Sequence, residues 1–186
     1  MSSPLPLIGF LLGLLLVIKH SLALSVPAAF QATLKTFPRS RCWGVLLLAS
    51  AAIWTFCLVA TSDLGEFSPW RTTILLGTIV STGLFGWLVP EFLAVRSLGF
   101  ILLLAAGPLL EATFLQSGLL PKMIAILAYL WIISGFFMVG MPYLLRNAIA
   151  TLSAPRQQWL WKLLSWIGLL YGILLLINSA RLLILS

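Results

Sequence analysis

Acidic side chains are nearly missing from this chain: Asp63, Glu66, Glu91 and Glu111 are its 4 carboxylates in 186 residues. Histidine occurs once, at His20, and cysteine twice, at Cys42 and Cys57. A zinc site needs three or four ligands within reach, which one histidine and two separated cysteines cannot supply. No glycine-rich phosphate loop follows a strand, and no strand pattern is evident. The residues therefore nominate no catalytic group, no metal site and no cofactor. On one continuous helix Cys42 and Cys57 would stand about 22 Å apart, 15 steps of about 1.5 Å. A disulfide needs Cα atoms within about 7 Å, so both cysteines read as small apolar packing residues.

Charge of either sign is scarce as well, at 8% of residues, where soluble domains carry about a quarter. Hydrophobic residues make up 61%, and the mean hydropathy is +1.13. These values predict an all-α, polytopic membrane helix bundle. No stretch is polar enough to fold separately in water, so residues 1–186 read as a single transmembrane domain. The formal net charge of +7 would suggest nucleic acid in a soluble protein. Here lysine and arginine cluster at the ends of apolar runs, which is the positive-inside pattern, and the partner implied is the lipid bilayer with no nucleic acid.

Six apolar runs are long enough to span: residues 5–24, 43–61, 72–89, 98–115, 123–145 and 160–180. The first ends in Ala23-Leu24-Ser25, which resembles a signal cleavage site, but no basic residue precedes its apolar core, so a retained helix is expected. Residues 26–37 place Val26, Phe30, Leu34 and Phe37 on one helical face, with Gln31 and Lys35 on another. That pattern predicts an amphipathic helix in the headgroup region; an ordinary basic loop is the alternative. Gly107-Pro108 predicts a kink in the fourth run. The stretch after Pro142, residues 146–158, reads as a basic linker.

Counting lysine and arginine in alternate connections orients the bundle. Lys19, Lys35, Arg39, Arg41, Arg96, Arg146, Arg156 and Lys162 fall on one side, whereas Arg71 and Lys122 fall on the other and Arg181 sits inside the final run near that second side. This bias puts both termini outside the cytoplasm and suggests a bacterial inner membrane. It also separates His20 from Asp63 and Glu66 by the membrane, which rules out a Ser-His-Asp relay. Gly83 to Pro90 aligns with Gly135 to Pro142 at an offset of 52 (135 minus 83), a weak hint of a parallel repeat.

Three groups of residues stand out. Glu111, Asn178 and Arg181 form a candidate polar site at membrane depth: a carboxylate there is costly unless paired, and Arg181 is a partner of opposite charge at matching depth. Pro90, Glu91 and Arg96 mark a central hairpin between the third and fourth spans. Glu91 and Arg96, five apart, do not share a helix face. Gly9 with Gly13, and Gly168 with Gly172, are GxxxG patterns that let helices approach closely, either each other or a partner. Asp63 and Glu66 sit among turn formers and read as a solvated turn. Three function classes follow: a structural, assembly or accessory subunit of a membrane complex, with other membrane subunits or a second copy as partner; a small transporter or lipid-binding protein using Glu111 and Arg181; and, least supported, a membrane enzyme.

Overall fold

A computed structural model describes residues 4–185. Within them the chain forms eight α-helices, three short 3₁₀ turns and no strand. The helices are α1 (Leu5–Ser25), α2 (Pro27–Thr36), α3 (Arg41–Thr61), α4 (Arg71–Leu88), α5 (Leu93–Thr113), α6 (Leu119–Gly140), α7 (Pro142–Leu152) and α8 (Gln158–Leu185). The architecture is an all-α bundle. Five helical segments are long and apolar enough to cross a membrane: α1, α3, α5, α6 and Pro155–Ile184, which holds α8. The shortest of these have 21 residues, about 31 Å at 1.5 Å per residue, which matches a hydrocarbon core of about 30 Å. The 18-residue α4 falls outside that set, because Arg71, four threonines, a serine and three glycines dilute its leucines.

Local chemistry explains the breaks. Ser40 caps α3, its Oγ accepting from the Trp43 amide at 3.3 Å. Asp63 Oδ1 accepts from the Gly65 amide at 3.0 Å, closing the turn that the left-handed Gly65 (φ 51°) then reverses. Arg71 reaches back and donates to the carbonyls of Ala60 (2.6 Å) and Ser62 (2.8 Å) at the end of α3, where carbonyls lack intrahelical partners.

Several expected boundaries shift. The fifth run does not continue through 145: α6 stops at Gly140, and Pro142 opens the separate helix α7 in what read as a basic linker. Proline lacks the N–H that an interior turn needs but suits a first turn, so one residue ends one helix and begins another. The helix around Gly107-Pro108 is a single element, with Pro108 inside α5. In α2 the helix is present, but Gln31 is buried and does not face headgroups. Its neighbour Phe30 packs edge-on against Trp161 at 6.0 Å, so this side of the helix turns toward protein.

The chain divides into two compact units. The first holds the described parts of Met1–Lys35, Ala106–Leu130 and Arg146–Ser186. Its centre is the antiparallel packing of α1 on α8. Gly9 lies against Ser179, Gly13 against Leu176, Leu16 and Val17 against Gly172, and His20 against Gly168. Trp161 Nε1 closes one end by donating to the Ala23 carbonyl at 3.1 Å, and Tyr171 Oη ties α8 to α6 through the Met123 carbonyl at 2.6 Å. Leu120, Ile124, Ala128 and Leu175 are fully enclosed.

The second unit comprises Thr36–Ala105 and Trp131–Leu145. Within it α3 and α4 run antiparallel, joined at one end by Arg71 and near the other by Gly86 against Leu48. Gly44 lets α3 approach Leu93 and Ala94 at the start of α5, where Val95 and Ser97 are also buried. Gly99 and Gly135 face each other so closely that a Cβ on either would meet the carbonyl oxygen of the other, at 2.9 and 3.0 Å.

Candidate functional site

Asn178 and Arg181 lie one turn apart on α8 and line a cavity of about 190 Å³ with Ser117, Gly118, Pro121 and Leu182. The α5–α6 connection forms the facing wall, shaped by left-handed backbone at Leu115 (φ 57°) and Gly118 (φ 120°). Asn178 Nδ2 donates one proton to the Leu174 carbonyl at 2.8 Å and keeps a second for the cavity. Glu111 does not line this space; it is exposed on the last turns of α5. Neither Glu111 nor the exposed Arg181 takes part in an ion pair among the described residues. Two of the three proposed polar residues are thus brought together, and the carboxylate stands apart.

Pro90 and Glu91 occupy the exposed turn between α4 and α5, with Phe92 in left-handed backbone (φ 56°). Arg96 falls inside α5, half-buried, and its Nε has no hydrogen-bond partner. The adjacent Ser97 Oγ is also buried and unpartnered. Gly9, Gly13, Gly168 and Gly172 all face the α1–α8 contact. His20 lies flat on Gly168, where any side chain would overlap its ring, and its buried Nδ1 is unpartnered. Asp63 is occupied with its turn, and Glu66 is exposed beside it.

A further cavity was not foreshadowed by any charged residue. It measures about 480 Å³ and lies within the second unit among α3, α4 and α5. Thr55, Thr78, Ser81 and Thr82 supply hydroxyls, and Phe85 and Phe100 meet edge-to-face at 5.3 Å on its wall. The sequence signal was the spacing of Thr78 and Thr82, one helical turn apart in the third run. Such pairs attract little notice because a threonine in a membrane helix hydrogen-bonds its own backbone and leaves the apolar pattern readable.

No protein-family model, no curated protein and no solved structure matches this chain.

Proposed function

We propose that the protein is a non-catalytic subunit of a larger membrane assembly and that α4 docks the partner. The observation carrying this reading is the mismatch between composition and exposure in α4. It is the least apolar of the long helices, yet it has no buried residue. Its outward face carries Thr73, Gly77, Val80, Gly83, Leu84 and Trp87, recurring at three- and four-residue steps, all exposed. Gly77 and Gly83 have nothing within 4 Å of where a Cβ would stand. Lipid has no preference for such a surface, whereas small residues let the backbone of another transmembrane helix approach. The GxxxG glycines of α1 and α8, by contrast, are already occupied with each other.

In this reading the chain crosses a bacterial inner membrane six times with both termini outside the cytoplasm, as the lysine and arginine bias favours. A photo-crosslinking residue at Val80 should give one discrete adduct in native membranes, and Gly77→Leu with Gly83→Leu should abolish it. Because both glycines face open space, the double variant should keep its helix content and its own stability. A diffuse adduct pattern, or a discrete one unaffected by the leucines, would refute the docking role.

A second reading rests on the Asn178–Arg181 cavity, whose guanidinium suits a lipid phosphate near the outer interface. It requires Arg181→Gln to lower the amount of anionic lipid that copurifies.

A further inference from the structure

We propose that the cavity among α3, α4 and α5 binds a neutral lipid carrying a hydroxyl donor on a flat ring, a hydroquinone-type head being the pattern. The proposal is independent of partner docking, because Thr78, Thr82 and Phe85 lie on the side of α4 opposite Val80.

The hydroxyls set the polarity of the site. Thr55 Oγ1 donates to the Ala51 carbonyl (2.9 Å), Thr78 Oγ1 to Ile74 (2.9 Å), Thr82 Oγ1 to Thr78 (2.7 Å) and Ser81 Oγ to Thr78 (3.2 Å). Each proton is spent inside its own helix, and each oxygen keeps a lone pair for the cavity. The lining therefore accepts hydrogen bonds and does not donate them. It contains no charged side chain, so an ionised ligand would be stranded there without a counter-charge. Phe85 and Phe100 add an aromatic wall on which a ring can stack.

Depth and size narrow the class further. Thr78 is 7 residues from Arg71 and 10 from Leu88, about 10 and 15 Å from the helix ends. A phospholipid headgroup would not reside at that depth, whereas a neutral ring alcohol dissolves in the bilayer. The volume of about 480 Å³ lies in the range of roughly 300–1,000 Å³ typical of small-molecule sites. A second cavity of about 250 Å³ shares Ala52, Thr78 and Thr82 and is otherwise walled by Ile53, Phe56 and Ile79. The two spaces thus share a wall of small side chains.

The test uses full-length protein in phosphatidylcholine nanodiscs, dialysed to equilibrium with 2-naphthol or its methyl ether, 2-methoxynaphthalene, against empty nanodiscs. Saturable, protein-dependent binding of 2-naphthol is expected, with the ether about two- to tenfold weaker for one lost hydrogen bond. Thr78→Val with Thr82→Val preserves shape and removes two of the four acceptors, so it should lower the preference while ether binding stays the same. Ala52→Phe should fill the cavity and abolish both. Absence of saturable binding, equal affinity for both probes in the wild type, or a preference undiminished by the valines would overturn the proposal. Should the double valine variant fail to retain native helix content, single Thr78→Val and Thr55→Val variants must each lower the preference, and an unchanged preference in both overturns it.

Discussion

Replacing Gly13 by alanine adds a single methyl group to the α1–α8 contact, and the geometry says where it must go. Its Cβ would lie 2.9 Å from Leu176 Cγ, 2.9 Å from the Leu176 amide nitrogen and 3.0 Å from the Gly172 carbonyl oxygen. Favourable separations between carbon atoms begin near 3.5 Å. The Leu176 side chain can rotate away, but the amide and the carbonyl belong to the backbone of α8. The two helices must therefore part by about half an ångström, loosening the packing of Leu16 and Val17 on Gly172. Overpacking of this kind costs about 1–3 kcal/mol. Alanine also raises helix propensity by about 1 kcal/mol, which hides part of the cost.

Gly77→Ala is the matched control, since it gains the same propensity and meets nothing within 4 Å. The stability difference between the two variants should then be about 1–3 kcal/mol, with Gly13→Ala the weaker. Titration with sodium dodecyl sulfate in mixed micelles, followed by helical circular dichroism, measures it. Adding Gly172→Ala should cost less than the sum of the single changes, because helices already parted by one methyl admit the other. Equal stabilities for Gly13→Ala and Gly77→Ala would refute the claim that backbone contact governs this interface.

Tyr171→Phe removes the 2.6 Å hydrogen bond to the Met123 carbonyl and should cost about 0.5–1.5 kcal/mol in the same titration. Its acceptor lies inside α6, where a carbonyl already has a helical partner, so the lower end of that range is expected. Trp161→Phe should cost more, about 1–2 kcal/mol, because it frees a carbonyl in the last turn of α1 and also disturbs the edge contact with Phe30. Arg71→Lys keeps the charge and loses the fork that bonds both Ala60 and Ser62, so hydrogen exchange should quicken at residues 59–62 while the middle of α3 is unchanged.

Helix positions were readable because apolar runs long enough to span are hard to place anywhere except in lipid, and prolines and turn formers mark their ends. The same logic misled at Gln31. A helical projection assigns faces by side-chain polarity alone, whereas the neighbouring Phe30 packs on Trp161, distant in sequence, and Gln31 is buried beside it. Glu111 failed to meet Arg181 for a related reason: equal depth constrains one coordinate, and rotation of each helix about its axis sets the rest. Asn178 and Arg181 are three apart on one helix, so their shared face could be read directly. The Gly99–Gly135 contact joins residues 36 positions apart (135 minus 99), and nothing in either local sequence selects the other. The four hydroxyls of the large cavity come from two helices and were invisible for the same reason.

Helix α4 shows how packing bears on what composition leaves open. Counting only the five segments that are apolar enough to cross, α1 and α8 would traverse the membrane in the same direction, because an odd number of crossings returns the chain to a parallel course. Yet Gly9 pairs with Ser179 and His20 with Gly168, which makes α1 and α8 antiparallel. Antiparallel first and last spans require an even number of crossings, which the proposed six-span arrangement supplies with α4 as the sixth. Neither α2, with 10 residues, nor α7, with 11, has the length. With 18 residues, α4 has about 27 Å, and it lies antiparallel along α3 from Arg71 at one end to Gly86 near the other. In that arrangement the sixth crossing falls to a helix rich in threonine, serine and glycine. Its small and polar residues lie on two faces, Thr78 and Thr82 toward the hydroxyl-lined cavity and Thr73, Gly77 and Gly83 on the exposed side.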